Sequence, residues 1–195
     1  MGNRRVILLL SAFVIGAVAI VAAALALLPR GPVATSQVAI GGAFQLVDQD
    51  GQSVTQESFA GLPTLVFFGF THCPDICPTT LFELSQLFEE LGPDARKTQA
   101  LFITVDPERD TPEALKSYLG SFHPSIQGLT GTPEQVAAVI KAYRAYAKKV
   151  PTQDGDYTMD HTAIVYLMGK DGAFIAPFNL KRPPAESAAD LRRYL

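Results

Sequence analysis

Cys73 and Cys77 are the two residues of this chain whose type and spacing most directly suggest chemistry. They are its only cysteines, and three residues separate them. A disulfide between them would close a very short loop, which stabilises a fold by only about 2 kcal/mol on the chain-entropy description. At helical spacing their side chains would lie on one face about 6 Å apart, close enough for a disulfide or for two thiolates on one metal ion. The pair therefore indicates redox or metal chemistry rather than a structural staple.

The surroundings of the cysteines favour reactive sulfurs. Residues 70–78 lie between a predicted buried strand and a predicted helix, and Pro78 suits the first helical turn. The partial positive charge of a helix N-terminus lowers a thiol pKa. We therefore expect both sulfurs to switch between thiol, disulfide and metal-bound states. A dithiol oxidoreductase usually has two residues between its cysteines, whereas this chain has three.

The chain has three histidines, and one of them is the predicted partner of the cysteines. A structural zinc site requires four ligands, whereas two thiolates and one imidazole suit a three-coordinate Cu(I) site. We expect the neighbour of Cys73, His72, to point elsewhere, and His123 to have an ordinary surface role after a helix. His161 precedes the last predicted hairpin, and in a thioredoxin-like layout the loop before that hairpin faces the cysteine loop. His161 is therefore the predicted third ligand.

Several acidic residues near these positions have more than one interpretation. Asp106 and Asp110 could form a hard-metal site, but a turn that caps the next helix is the favoured interpretation. Asp160 could orient the adjacent histidine, recognise a partner or serve as an ordinary loop residue. Met159 is a soft ligand type, for which we favour an apolar contact. Asp75 could cap the helix or tune the thiols.

The remaining sequence predicts strands that alternate with helices. The expected strands lie at 44–47, 65–70, 101–105, 162–168 and 173–178, and the expected helices end at 92–93, start at 110–113, start at 132–134, and close the chain at 185–194. This order, with a final hairpin, predicts an α/β layered fold with a mixed sheet and flanking helices.

The N-terminal segment predicts a membrane anchor. Residues 6–28 carry no charge and exceed the roughly 20 residues that a membrane-spanning helix needs. Arg4 and Arg5 place the short N-terminal end in the cytoplasm by the positive-inside rule. A cleaved signal peptide with a small-x-small site at 24–26 is the alternative, and the length of the apolar segment favours the uncleaved anchor. In both cases the rest of the chain crosses a membrane.

The predicted organisation is thus a cytoplasmic end at 1–5, an anchor at 6–28, a linker at 29–37 and one domain at 38–195. The formal net charge is −3, and no long basic run is present. Nucleic-acid binding is therefore not expected.

Three segments carry a resemblance to one family. Residues 68–79, FGFTHCPDICPT, resemble the cysteine motif of the Sco (SenC) family. Residues 105–112, VDPERDTP, resemble its second signature, and residues 157–162, YTMDHT, resemble its histidine motif. The three motifs occur in order and at suitable spacing, and the resemblance extends from about 44 to 178.

The resemblance implies a thioredoxin-like domain in which Cys73, Cys77 and His161 bind copper. It implies a role in assembling the dinuclear copper centre of cytochrome c oxidase subunit II, with copper received from an upstream donor. The ligand types suit Cu(I), and Cu(II) stays open as an alternative. The domain would face the periplasm or the mitochondrial intermembrane space. The short N-terminus favours a single-pass protein of a bacterial inner membrane.

The sequence leaves three alternatives to copper delivery open. A thiol–disulfide oxidoreductase would use Cys73 and Cys77 as a catalytic redox pair and would not need His161. A peroxidase of the peroxiredoxin type would need an arginine and a threonine beside the thiol. Thr71 is present, but no arginine is close to the motif in sequence. A copper or redox sensor is the third alternative.

Overall fold

The structure is a computed structural model that describes nearly all of the predicted domain. The residues described are 39–195 together with Leu10, 15–18 and Ile20. Apart from those few N-terminal positions, the predicted cytoplasmic end, anchor and linker lie outside the described residues. Among the residues that are described, no helix has the length and apolar character that crossing a membrane requires.

The described residues from 39 onward form nine strands and four α-helices, with short 3-10 turns between some of them. The strands are β1 (Gln45–Asp48), β2 (Ser53–Thr55), β3 (Thr64–Gly69), β4 (Gln99–Thr104), β5 (Ile126–Thr130), β6 (Ala147–Pro151), β7 (Tyr157–His161), β8 (Val165–Met168) and β9 (Phe174–Phe178). The helices are α1 (Ile76–Leu91), α2 (Pro112–Leu119), α3 (Pro133–Ala142) and α4 (Pro184–Leu191).

Seven strands form one mixed sheet in the order β2-β1-β5-β4-β3-β8-β9. Neighbours β3, β4 and β5 are parallel, whereas the remaining pairs are antiparallel. Strands β6 and β7 form a separate antiparallel pair. The sheet confirms the predicted α/β fold with mixed strand directions.

The core is centred on the strand that precedes the cysteines. Every residue of β3 is buried, as the continuous apolar run predicts for a strand covered on both faces. The apolar face of α1 is buried too, and α1 packs against α4. The cysteine motif is therefore joined at both ends to buried elements of the core.

Helix starts were predictable from local chemistry. The Thr111 hydroxyl accepts a hydrogen bond from the Ala114 amide, and Pro112 is the first residue of α2. Thr132 caps α3 in the same way and forms a capping box with Gln135. Gly92 ends α1 with φ at 55°, a conformation that favours glycine.

The strand prediction was incomplete, although α3 begins where its helix was predicted. Strands β2 and β5 were missed, and the predicted strand at 162–168 begins only at Val165. Strands β6 and β7 were also missed, since most of their residues are exposed or half-buried and show no apolar alternation. A pair of strands with a single buried residue, Met159, leaves no hydrophobic period in the sequence.

The sheet topology brings three segments to one edge. Parallel β3 and β4 end side by side, with Gly69 opposite Thr104. Strand β8 is antiparallel to β3, and its first residue, Val165, pairs with Phe67. The cysteine segment after β3, the loop 105–111 after β4 and the end of β7 therefore meet at the same edge, where ligands of α/β sheets commonly bind.

Candidate metal centre

The first half of the candidate site is a tight turn between β3 and α1. The amide of Cys73 donates to the Phe70 carbonyl at 3.2 Å, so Cys73 lies in the turn and not in the helix. The amide of Cys77, the second residue of α1, donates to the Cys73 sulfur at 3.4 Å. The sulfurs thus approach each other because the turn folds Cys73 over the helix N-terminus, and not because both lie on one helical face.

The two thiols are free and differ in exposure. Cys77 is fully buried, whereas Cys73 is half-buried. Burial raises the pKa of the Cys77 thiol, and a hydrogen bond from the backbone of Phe70 only partly opposes it. The expectation that both sulfurs have lowered pKa values is therefore wrong for Cys77. Because a thiol binds metal as the thiolate, metal binding must release the proton of Cys77.

Gly69 allows Cys77 to lie against the sheet. A Cβ atom at Gly69 would be 2.8 Å from the Cys77 sulfur and 2.5 Å from Cε2 of Phe102. Both distances are shorter than a carbon atom tolerates, so any side chain at this position would displace the thiol or the ring. The last residue of β3 is therefore a glycine for reasons of space.

His161, the last residue of β7, provides the second half of the site. Its Nε2 lies 3.5 Å from the Cys77 sulfur, and its Nδ1 lies 3.1 Å from the Thr162 carbonyl. A carbonyl only accepts, so this bond assigns the proton to Nδ1 and leaves the Nε2 lone pair facing the thiols. The rings of Phe70 and Phe67 pack edge-on against the imidazole, with centroids 5.7 and 6.2 Å away.

The structure brings the three predicted ligands together. One ligand atom from each of Cys73, Cys77 and His161 lies within 4.8 Å of the others. In the part of the chain that the structure describes, this is the only such group of His, Cys, Asp and Glu side chains. Two soft sulfurs and an imidazole suit Cu(I), whereas a closed zinc site would need a fourth ligand. A depression of about 250 Å³ lies over the group.

The other two histidines do not join the site. His72 is exposed, and its Nδ1 lies 3.0 Å from the Thr71 hydroxyl. His123 stacks on Phe88 at 5.1 Å and accepts a hydrogen bond from the Ser125 amide. His123 is therefore partly buried and packed, whereas the sequence predicted an ordinary surface residue.

Asp160, Met159 and Asp75 lie beside the predicted ligands, and the sequence left several roles open for each. Asp160 is exposed, and the Thr162 carbonyl takes the orienting role that Asp160 could have had. Met159 is buried in the core, which confirms the apolar interpretation. Asp75 precedes α1, but its side chain makes no capping hydrogen bond.

Asp106 and Asp110 form the predicted turn, although both are also fully buried. The Asp106 carbonyl accepts hydrogen bonds from the amides of Arg109 and Asp110, while Thr111 caps the helix. The Asp110 carboxylate accepts from Thr71, and no metal cluster of acidic side chains occurs among the described residues. The burial of these carboxylates was not predicted.

Arg109 is the residue near the site that sequence reasoning missed. It is distant from the cysteines in sequence, but its guanidinium carbon lies 6.0 Å from the centre of the Phe70 ring. Its Nε and Nη1 are engaged by Asp106 and by the Tyr157 carbonyl. The lack of a nearby arginine is thus no argument against a peroxidase, although this arginine is already paired with other groups. The sequence feature that could have revealed Arg109 was its position in the second signature segment, residues 105–112.

Comparison with known proteins identifies the family. The model of the family described as SCO1/SenC matches residues 32–195. The chain belongs to the SCO1/SenC family. It is 42% identical over 163 residues to "Protein SCO2 homolog, mitochondrial" of Danio rerio, covering 82% of this chain and 58% of the relative. It is 41% identical over 162 residues to the Homo sapiens "Protein SCO1 homolog, mitochondrial", covering 80% and 53%. The chain therefore spans about half the length of these curated relatives.

Solved structures of Sco proteins resemble this fold over most of the domain. Bradyrhizobium japonicum ScoI with copper bound is 64% identical with a TM-score of 0.79, covering 80% of this chain and all of that one (100%). Yeast Sco1 with copper bound is 37% identical with a TM-score of 0.73, covering 80% and 88%. BsSco, described as having a disulfide switch and as a cytochrome c oxidase assembly protein, is 26% identical with a TM-score of 0.62, covering 80% and 93%. The predicted thioredoxin-like fold is confirmed.

Proposed function

We propose that this chain is a copper metallochaperone that holds Cu(I) through Cys73, Cys77 and His161. The observation that carries the proposal is the approach of these three ligand atoms to within 4.8 Å of one another, with the imidazole lone pair facing the sulfurs. Copper-bound ScoI and yeast Sco1 support the choice of metal. A site with only three protein ligands, two of them half-buried, suits an ion that must be passed on.

Transfer proceeds by exchange of ligands with a partner. Cys73 is the more accessible sulfur and lines the depression over the site, so an incoming thiolate displaces it first. Cys77 and His161 hold the ion until a second ligand from the partner replaces them. The partner thiols lose protons as they bind, and Cys77 takes a proton back because burial raises its pKa. The ion stays Cu(I) throughout, so no electron is transferred.

The proposed recipient is the dinuclear copper centre of cytochrome c oxidase subunit II. This assignment rests on family membership and on the description of BsSco as an oxidase assembly protein. The predicted anchor at 6–28 would hold the domain on the periplasmic face of the inner membrane, beside a membrane-bound oxidase. An upstream donor that supplies Cu(I) completes the proposed route.

A second candidate function is reduction of the partner's cysteines. It is favoured by the free thiols, since half-buried Cys73 could attack a partner disulfide and buried Cys77 could then resolve the mixed disulfide. One dithiol would become a disulfide while the partner's disulfide becomes a dithiol. This reaction does not use His161.

The two functions predict different results when the domain at 38–195 is mixed with the copper-free soluble domain of subunit II. The Cu(I)-loaded protein should transfer most of its copper to the reduced partner, measured by metal analysis after the proteins are separated. The His161→Ala variant should transfer much less, because it retains little copper to pass on. If copper stays where it was loaded while metal-free protein reduces an oxidised partner equally well with and without His161, the reductase is the correct function.

A further inference from the structure

We infer that the loop 105–111 is a brace that positions the two halves of the metal centre relative to each other. Asp110 holds the cysteine turn, and Asp106 with Arg109 holds the strand that ends at His161. The inference rests on the proposed function only in naming Cu(I) as the bound ion. None of these three side chains is a predicted ligand, so they are positioning residues.

The first arm of the brace joins the cysteine turn to the end of β4. Asp110 is fully buried, and one of its carboxylate oxygens accepts from the Thr71 amide at 3.0 Å and from the Thr104 hydroxyl at 2.6 Å. The other oxygen accepts from the Thr71 hydroxyl at 2.6 Å. These hydrogen bonds fix the backbone of Thr71, two residues before Cys73.

The second arm joins the same loop to β7. Arg109 Nε donates to Asp106 Oδ2 at 2.5 Å, and the Tyr157 hydroxyl donates to Asp106 Oδ1 at 2.9 Å. Arg109 Nη1 donates to the Tyr157 carbonyl at 3.1 Å, and its guanidinium carbon lies 3.8 Å from the centre of the Tyr157 ring. Tyr157 begins β7 and His161 ends it, so fixing the first residue fixes the direction of the strand.

The pairing of strands shows why a brace is needed. Among the described residues, β6 and β7 pair only with each other and make no ladder with the seven-stranded sheet. The orientation of His161 toward the cysteines therefore depends on side-chain contacts, on the short connection to β8 and on the segment after α3, where the Tyr146 carbonyl accepts from the Thr162 amide at 3.0 Å. Arg109 also lies 6.0 Å from the centre of the Phe70 ring, which packs on the His161 imidazole. The loop thus contacts both halves of the site.

Two mild substitutions test one arm each. Tyr157→Phe removes the hydroxyl that bonds Asp106 but keeps the ring under Arg109, and Thr71→Val removes the hydroxyl that bonds Asp110. Thr98→Val is the matched control, because it removes a hydroxyl that donates to the Pro63 carbonyl at 2.8 Å, at the opposite end of β3. These variants avoid the unfolding that removal of a buried carboxylate could cause.

Cu(I) affinity and hydrogen exchange of the metal-free protein are the two readouts. We expect each test variant to bind Cu(I) about 10-fold more weakly, as loss of an outer hydrogen bond on a metal site commonly costs 10–100-fold. We also expect faster amide exchange in peptides covering the cysteine turn for Thr71→Val and β7 for Tyr157→Phe. Thr98→Val should leave the Cu(I) affinity and the exchange rates at their native values, even if it lowers the melting temperature as much as the two test variants do.

The inference is wrong if both variants bind Cu(I) as tightly as the native protein and their amide hydrogens exchange at the native rate. It is equally wrong if Thr98→Val weakens binding as much as they do, because the effect would then be general destabilisation. If the native protein binds no Cu(I), the proposed function fails. The exchange data alone then decide whether the loop 105–111 positions the two halves of the site. Faster exchange confined to the two predicted peptides would then support it, and unchanged exchange would overturn it.

Discussion

Cys73→Ser is expected to lower the Cu(I) affinity of the domain by more than about 100-fold. The substitution removes one of two thiolate ligands, a larger loss than that of a hydrogen bond behind a ligand, which commonly costs 10–100-fold. A hydroxyl does not replace it, because Cu(I) prefers soft sulfur ligands. Cys73 is half-buried and precedes α1, so the fold should tolerate the change. Competition with a Cu(I) chelator of known affinity gives the measurement.

Ser85→Ala provides the control for this result. Ser85 lies in α1, the helix that Cys73 precedes, about two turns beyond Cys77. Its buried hydroxyl donates to the Leu81 carbonyl at 2.8 Å. The control should bind Cu(I) with native affinity. Normal copper loading by Cys73→Ser would contradict the assignment of Cys73 as a ligand.

The same titration has an expected pH dependence in the native protein. Burial raises the pKa of Cys77, so this thiol holds its proton at neutral pH in the metal-free state. Protons therefore compete with Cu(I), and the apparent affinity should rise with pH, by about tenfold per unit for each proton released. Affinity that is constant between pH 6 and pH 8 would mean that the thiols are already ionised.

Gly69→Ala is expected to impair both the stability and the metal site. The added methyl group would lie 2.8 Å from the Cys77 sulfur and 2.5 Å from the Phe102 ring, and one of them must move. Overpacking of this kind commonly destabilises a core by about 1–3 kcal/mol. Because the thiol is one of the two neighbours, we also expect Cu(I) affinity to fall by about 10-fold or more. Thermal unfolding and the chelator titration measure the two effects.

Gly120→Ala is the matched control, since its new methyl group would meet only the Lys116 and Ser117 carbonyl oxygens at 3.4 Å. It should leave Cu(I) affinity at the native value. A Gly69→Ala protein that melts and binds copper like the native protein would show that the thiol does not need this space.

Much of the fold was predictable because its signals are local. The apolar run of β3, the Thr-Pro starts of α2 and α3 and the turn before β9 each depend on neighbouring residues, and the structure has all of them. The β6–β7 hairpin was missed because Met159 is its only buried residue and exposed polar pairs such as Lys148 opposite Asp160 give no apolar alternation. Short polar strands are specified by the partner they meet, which the sequence order does not reveal.

In the candidate site, too, local features were predictable from the sequence and features that depend on tertiary packing were not. The types and spacing of Cys73, Cys77 and His161 indicated a soft-metal group, and the fold brings them together. The burial of Cys77 and the bond from His161 to the Thr162 carbonyl were not foreseen, because both depend on tertiary packing. The lowered pKa expected from helix position alone was wrong for Cys77, because burial is the largest influence on this thiol and raises its pKa.

The most direct test of the three-ligand site is the copper content of the domain at 38–195. The reduced protein is loaded with Cu(I) without oxygen, freed of excess metal, and compared with His161→Ala and with His123→Ala, whose ring stacks on Phe88 outside the site. We expect about one copper ion per chain in the native protein and in His123→Ala, and a much more weakly held, easily removed ion in His161→Ala. Copper retention that is absent, or that is indifferent to His161, would contradict the three-ligand site.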